Sequence, residues 1–160
     1  VMPLVAPDPL LYGPVAFGQT SLAASGGGTG LVYPLAYPLD YGVPPGVTPG
    51  AITVANNGTA SYFPRLRIDG PVTNPVVSLV ETGDVVRFNG TVAAGQHLDI
   101  NWGQPRRVTI GDNPVSVRNL VSYSGNWLAI PVGGGSISYS ADDADPAATL
   151  SVWSYEGAFE

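Results

Sequence analysis

Glycine and proline interrupt this chain so often that a long helix cannot form. The sequence holds 21 glycines and 16 prolines, and from Ala51 onward turn signals recur about every 8–12 residues. The segments between them alternate apolar and polar side chains, the period of a strand with one buried face. The sequence therefore predicts an all-β fold of about eight to ten antiparallel strands, most simply a two-sheet sandwich of the jelly-roll type.

Residues 51–75 show this pattern most fully. Asn57-Gly58 is suited to the positive φ angles of a two-residue turn, so we expect a β-hairpin here. The strand beyond it places four apolar side chains on one face: Tyr62, Pro64, Leu66 and Ile68. Because Pro64 has no N–H to donate, this strand is expected at a sheet edge or a bulge. Residues 69–71, Asp-Gly-Pro, end the strand as a turn.

Further strands are predicted at residues 15–21, 76–80, 85–89, 97–102, 107–110, 115–121, 127–130, 136–140 and 150–155. Within them alternation assigns buried faces, for example to Leu98, Ile100 and Trp102. Turn residues separate each strand from the next.

The sequence predicts three segments. Residues 1–24 mix proline with apolar residues and are expected to form an extended arm with one short strand. Residues 25–50 are predicted to be a Gly/Pro/Tyr linker, and residues 51–160 the sandwich domain. The linker repeats an aromatic at every fourth position, and these aromatics are expected to pack on the sheet or on a partner: Tyr33, Tyr37 and Tyr41. Since the first residue is Val, we expect the sequence to begin inside a longer polypeptide.

Composition excludes several classes of function. The chain has no cysteine, which excludes disulfides, thiolate metal sites and a catalytic thiol. Lysine is absent, and 12 acidic against 6 basic residues give a net charge of −6, which argues against nucleic acid as a partner. No apolar run approaches the roughly 20 residues that span a membrane, and no signal peptide is visible.

The fraction of charged residues is low. Only 11% are charged, against about a quarter in a typical soluble domain. Two interpretations remain open. The surface is covered by neighbours in a large assembly, or the chain is a neutral, turn-rich β protein.

No catalytic or metal-binding constellation is predicted, and no cofactor is expected. His97 is the single histidine; without a nucleophile elbow elsewhere, the simplest interpretation is a lone surface histidine. Asp142, Asp143 and Asp145 could bind calcium weakly, but they lack EF-hand spacing, and a solvated loop is simpler. A wall-degrading enzyme would require a paired-carboxylate cleft or a metal.

Three tryptophans are candidate contacts for a partner or a glycan. Trp102, Trp127 and Trp153 could form a platform on which sugar rings stack. At least one of them is expected in the core instead, because tryptophan buries a large apolar area. With the linker tyrosines, they complete the set of predicted contact residues.

Several blocks, taken in order, resemble a known family. They are APDPLLYG (6–13), YPLAYPLDYG (33–42), NNGTASYFPRLRIDGPVTNPVV (56–77), AAGQHLDINW (93–102), RRVTIGDN (106–113), NWLAIPVGGGSISYS (126–140) and LSVWSYEGAF (150–159). Their order and spacing are similar to the C-terminal part of distal tail proteins, or minor tail proteins, of long-tailed bacteriophages. This chain departs from the family pattern at three positions: Asn101 stands in place of an aspartate, Leu128 in place of a second aromatic, and Val132 in place of the second proline of a proline-proline-glycine sequence.

The resemblance implies a structural virion protein at the tail tip, assembled in the host cytoplasm, and not an enzyme. The fold would be a galectin-like sandwich, and an N-terminal domain would form a homohexameric ring joining tail tube and baseplate. Implied partners are the tail tube, the tape-measure or hub protein and the receptor-binding protein, with neither nucleic acid nor membrane. The alternative is a carbohydrate-binding module that contacts host cell-wall sugars.

Overall fold

The computed structural model of the protein describes residues 10–21, 23–24, 47–48, 50–103, 106–112, 115–145 and 147–159. These residues form strands and a single 3₁₀ turn, Arg118–Leu120, and none of their helical segments could cross a membrane. The strands are β1 (Leu11–Tyr12), β2 (Val15–Ser21), β3 (Ala23–Ala24), β4 (Val47–Thr48), β5 (Gly50–Val54), β6 (Arg65–Asp69), β7 (Val72–Thr73), β8 (Val76–Leu79), β9 (Asp84–Phe88), β10 (Thr91–Val92), β11 (His97–Asn101), β12 (Arg107–Ile110), β13 (Val115–Ser116), β14 (Val121–Ser124), β15 (Gly135–Ser140), β16 (Asp143–Ala144), β17 (Thr149–Tyr155) and β18 (Ala158–Phe159).

Two antiparallel sheets form the sandwich, as predicted. One has six strands in the order β13-β12-β11-β6-β17-β2, and the other has five in the order β14-β9-β8-β15-β5. Strands β10-β7-β16, β1-β18 and β3-β4 form small additional sheets. Gly18 of one large sheet lies against Ile52 of the other, so the sheets meet face to face there. Both contribute to one core: Ile52, Val54, Leu66, Ile68, Val77, Leu79, Val86, Phe88, Leu98, Ile100, Val108, Ile137, Tyr139, Leu150 and Val152.

The predicted hairpin at Asn57-Gly58 is wrong. Strand β5 pairs with β15 in the five-stranded sheet, whereas β6 pairs with β11 and β17 in the six-stranded sheet. The chain therefore crosses between the sheets here. Neither Asn57 nor Gly58 has a positive φ, which a type I′ turn would require.

Strand β6 is central in its sheet, so the predicted edge position is also wrong. Pro64 lies just before β6 begins at Arg65, and therefore no ladder hydrogen bond is lost. The alternation itself is confirmed, since the four predicted apolar side chains on this face are buried. Tyr62 adds an isolated antiparallel bridge to Ile130.

Most other strands match the sequence prediction. Those predicted at 15–21, 76–80, 85–89, 97–102, 107–110, 136–140 and 150–155 are observed within one residue of those bounds. Residues 115–121 are not one strand, because the 3₁₀ turn Arg118–Leu120 divides them. Residues 127–130 are not a strand either: Trp127 and Leu128 turn the chain with φ of 55° and 59°, a left-handed conformation that bulky residues rarely adopt.

The first predicted segment contributes to the sandwich. Strand β2, Val15–Ser21, pairs with β17 along its whole length and forms the end of the six-stranded sheet. Strand β3 pairs with β4 across the predicted linker. The linker tyrosines, Tyr33, Tyr37 and Tyr41, lie outside the described residues, and their contacts stay a prediction.

Candidate functional site

The outer face of the six-stranded sheet carries charged and aromatic side chains. Because side chains alternate along a strand, burial of Leu66 and Ile68 directs Arg65 and Arg67 away from the core. Three central strands contribute residues to this face in register: Arg65, Arg67 and Asp69 from β6, His97, Asp99 and Asn101 from β11, and Ser151, Trp153 and Tyr155 from β17. Arg65 lies between Asn101 on one side and Trp153 on the other.

Ion pairs fix much of this face. Arg65 Nη2 lies 3.1 Å from Asp99 Oδ1, and Arg67 Nε lies 3.0 Å from Asp69 Oδ1. His97 Nε2 lies 3.4 Å from Asp99 Oδ2, and its Nδ1 lies 3.8 Å from Asp112 Oδ1. The His97 side chain is 12% exposed, so the prediction of a surface histidine is wrong: the ring is largely covered and faces two carboxylates.

Trp153 is the main aromatic side chain on this face. It is half-buried, and its ring centroid lies 5.3 Å from that of Phe17, which is 59% exposed. The Arg65 guanidinium lies 5.3 Å from the Trp153 ring centroid, a cation–π distance. The ion pair with Asp99 and this ring together hold Arg65, although its side chain is 53% exposed.

A cleft of about 520 Å³ opens at the end of this face. We call it the sheet-end cleft; its walls include Tyr12, Phe63, Arg65, Asn101, Trp102 and Trp153. Tyr12 stacks on Tyr155 with ring centroids 4.3 Å apart, and Tyr62 meets Tyr155 edge to face at 5.5 Å. The Tyr62 hydroxyl hydrogen bonds to the Tyr155 carbonyl at 2.7 Å, and burial raises the pKa of that hydroxyl.

Trp102 forms the buried wall of the cleft. Its side chain is 4% exposed, which confirms that at least one tryptophan belongs to the core. Its ring lies 4.1 Å from that of Trp127, and Trp127 stacks on Tyr123 at 3.3 Å between centroids. Within the described residues, the buried Trp102 Nε1 has no hydrogen-bond acceptor. A small recess beside the cleft is lined by Phe63, Trp102, Arg106, Arg118 and Trp127.

The structure thus brings two predicted tryptophans into contact and places a third on the same cleft. Trp102 and Trp127 touch, while Trp102 and Trp153 both line the sheet-end cleft. Whether any of the three contacts a partner or a glycan stays a prediction. Sequence reasoning missed Arg65 and Asn101, although the period of two already placed both on polar faces of their strands. The pairing of Tyr12 with Tyr155, from opposite ends of the chain, has no local sequence signal.

The acidic cluster near residue 143 forms ordinary surface contacts. Asp142 accepts hydrogen bonds from Arg87 Nη2 at 3.0 Å and from Asn74 Nδ2 at 2.9 Å. Asp145 Oδ1 accepts one from the backbone N–H of Ala147 at 2.8 Å. Within the part of the chain that the structure describes, no three acidic, histidine or cysteine side chains are grouped as metal ligands would be.

Comparison with known proteins gives one match. The family model described as siphovirus-type tail component, C-terminal domain, matches residues 57–154. No match was found among curated proteins or among solved structures. The matched segment runs from the crossing before β6 to within β17 and covers more than half of the chain, which confirms the resemblance to the C-terminal part of distal tail proteins. The chain therefore belongs to the siphovirus-type tail component family and is a structural component of the bacteriophage virion tail.

Proposed function

We propose that this protein is the peripheral sandwich of a distal tail protein at the tail tip, where it joins the tail tube to the baseplate or to receptor-binding proteins. The observation that supports this role is the family match over residues 57–154. The matched segment begins in the crossing before β6 and holds strands of both large sheets. It lies inside the sandwich segment proposed for residues 51–160. Residues 25–50 are proposed as the linker, and residues 1–24 as an arm whose strand β2 joins the six-stranded sheet.

The proposal includes the assembly of the full-length protein. An N-terminal domain forms a homohexameric ring, and the partners are the tail tube, the tape-measure or hub protein and the receptor-binding protein. Exposed apolar side chains on β1 and β2 favour protein contacts there: Leu11 is 72%, Val15 62% and Phe17 59% exposed. Val15 and Phe17 lie on one face of β2, and adjoining exposed apolar side chains often mark an interaction surface. The low charge content, 11%, agrees with a surface covered by neighbours.

Electron microscopy of intact virions tests the position in the tail. Antibodies raised against the purified protein are bound to virions, and the labels are located along the tail. Labels concentrated at the end distal to the head would support the proposal. Labels distributed along the tube, or at the junction with the head, would contradict it.

A second candidate function is binding of host cell-wall carbohydrate. The observation that favours it is the half-buried Trp153 ring between Phe17 and Arg65, at the rim of the sheet-end cleft. A sugar ring can lie on an indole face, while its hydroxyl groups hydrogen bond to planar polar side chains such as that of Asn101. Enzymatic turnover is not part of the proposal.

Sedimentation with cell-wall material from a susceptible host strain tests this candidate. The expected result is that the protein sediments with the wall, that Trp153→Ala stays in solution, and that Tyr123→Ala behaves like the parent. Tyr123 is a matched control because it is an aromatic side chain, 52% exposed, that does not line the cleft. Equal sedimentation of all three proteins would exclude the cleft as the binding site for the cell wall. Release of reducing sugars would contradict a non-enzymatic role.

A further inference from the structure

We propose that the sheet-end cleft binds an acidic saccharide, with a sugar ring against its aromatic walls and the carboxylate or phosphate of the sugar facing Arg106. The proposal rests on the carbohydrate-binding candidate function and specifies the chemical class of its ligand. It is carried by the charge of the cleft, by an amide donor in its wall, and by the pairing of three of the strands that line it.

The cleft is cationic although the chain is acidic. The net charge of the chain is −6, yet the charged residues among those that line the cleft are Arg65 and Arg106. Arg118 joins Arg106 in the adjoining recess. Arg65 is neutralised by Asp99, whereas Arg106 and Arg118 form no ion pair with any described residue. An anion entering the cleft therefore meets the Arg106 guanidinium, which is unpaired among the described residues and can bind two of its oxygens, with Arg118 in the adjoining recess.

Asn101 gives the wall of the cleft a hydrogen-bond donor. Asn101 Oδ1 accepts a hydrogen bond from the Gly103 N–H at 3.0 Å, which leaves its side-chain NH₂ as a donor. An acceptor oxygen of a ligand can satisfy this donor.

Strand pairing favours a saccharide over an acidic peptide. An extended peptide commonly binds by adding a strand to an exposed sheet edge. Three of the strands that line the cleft are paired on both sides: β6 with β11 and β17, β11 with β6 and β12, β17 with β6 and β2. Strand β2, which contributes Val15, is the end strand of the sheet. On β6, β11 and β17 a ligand therefore meets side chains and not a free strand edge, and these side chains are aromatic rings such as Trp153 and Tyr155 together with Arg65.

Calorimetric titration of the full chain tests the proposal with defined probes. The acidic probes are trigalacturonic acid, which carries carboxylates, and galactose 6-phosphate, which carries a phosphate. The neutral probe is galactotriose, and hexaglutamate represents an acidic peptide. We expect at least one acidic sugar to bind more tightly than both the neutral sugar and the peptide, and its affinity to fall as salt is raised.

Variants locate the binding. Arg106→Gln should lower the affinity for the acidic sugar by about tenfold or more, because a charge-assisted hydrogen bond is lost. Arg87→Gln is the matched control, because Arg87 lies outside the cleft and pairs with Asp142; its affinity should match that of the parent.

The outcomes separate this proposal from the function on which it rests. Galactotriose bound as tightly as the acidic sugars would leave the carbohydrate function standing and overturn the preference for acids. Hexaglutamate could instead bind as tightly as the acidic sugars and lose the same affinity in Arg106→Gln. The ligand inferred for the cleft would then be an acidic segment of a partner protein and not a saccharide. No binding of either acidic sugar at millimolar concentration, or equal losses in Arg106→Gln and Arg87→Gln, would overturn the proposal.

Discussion

The α-carbon of Gly58 lies directly against the backbone of Ala158. A Cβ added to Gly58 would overlap with the Ala158 carbonyl oxygen. The N–H groups of Thr59 and Ala60 donate to that same carbonyl at 2.8 and 3.0 Å. The crossing between the two sheets is thus bound to β18, and the glycine permits this close approach.

Gly58→Ala should destabilise the protein by about 1–3 kcal/mol, because the new methyl group must displace packed backbone. Asn57→Ala is the matched control: Asn57 is exposed, lacks a positive φ and should change stability by less than about 0.5 kcal/mol. Chemical denaturation of both variants measures the difference. Similar losses in the two variants would instead favour a turn that depends on the asparagine-glycine pair.

This position shows what sequence reasoning could not reach. Asparagine-glycine is a strong local signal for a hairpin, but here the glycine is required by a distant segment of the chain. The contact between Gly58 and Ala158 depends on tertiary packing. The local sequence around either residue does not predict it. The same holds for Trp127 and Leu128, whose left-handed φ angles interrupt a predicted strand.

What the sequence does predict are the faces of strands. Alternation correctly assigned the buried sides of β6 and β11, because one buried face imposes a period of two on a strand. Which strands become neighbours is set by long-range pairing, and the sheet-end cleft depends on it. Arg65 and Trp153 meet because β6 pairs with β17, and no local pattern indicates that pairing.

Asn56 is a second position where a buried polar side chain joins distant segments. It is fully buried. Its Nδ2 donates to the carbonyls of Ala60 at 2.9 Å and Ile130 at 3.2 Å. Its Oδ1 accepts from the N–H groups of Gly58 at 3.1 Å and Ala158 at 3.3 Å. The amide therefore uses both its donors and its acceptor.

Asn56→Ala should lower the free energy of unfolding by about 3 kcal/mol or more, since several buried backbone groups would lose a partner. Asn119→Ala is the control, because Asn119 is exposed in the 3₁₀ turn and its side chain makes no hydrogen bond with the described residues. Urea denaturation followed by tryptophan fluorescence measures both. A loss below about 1 kcal/mol in Asn56→Ala would show that water replaces the amide.

Tyr62 and Tyr139 are both buried, but their hydroxyl groups differ in hydrogen bonding. The Tyr62 hydroxyl lies 2.7 Å from the Tyr155 carbonyl and 3.0 Å from that of Ala55. The Tyr139 hydroxyl is buried and has no partner among the described residues. Burial raises the pKa of both hydroxyls, for Tyr139 well above the range of ordinary tyrosines.

Replacing each tyrosine by phenylalanine should therefore change stability in different directions. Tyr62→Phe should cost about 1–2 kcal/mol, because it removes the donor to two carbonyls. Tyr139→Phe should be neutral or stabilise by up to about 1 kcal/mol, because it removes an unsatisfied hydroxyl from the core. Thermal unfolding of the two variants decides. A marked destabilisation of Tyr139→Phe would show that its hydroxyl has a partner in solution.

Glu81 makes the stability of the fold depend on pH in the acidic range. Its Oε2 accepts a hydrogen bond from the Ser136 N–H at 2.8 Å, and this bond lowers the pKa of the carboxyl below its ordinary value of 4.5. A folded-state pKa below the unfolded one means that folding favours the ionised form. The resulting stabilisation is present above pH 4.5 and disappears as the pH falls through the lower, folded-state pKa.

Glu81→Gln cannot ionise, so it should be less stable than the parent at pH 7, and the difference should shrink as the pH is lowered towards 3. The change should be small, because the carboxyl is exposed to solvent. Thermal midpoints of the two proteins across this range measure it. Glu156→Gln is the control for loss of one negative charge, since the exposed Glu156 side chain accepts no hydrogen bond from the described residues. If Glu81→Gln stays below the parent by the same amount at pH 3 as at pH 7, the hydrogen bond to Ser136 does not depend on the ionised carboxylate.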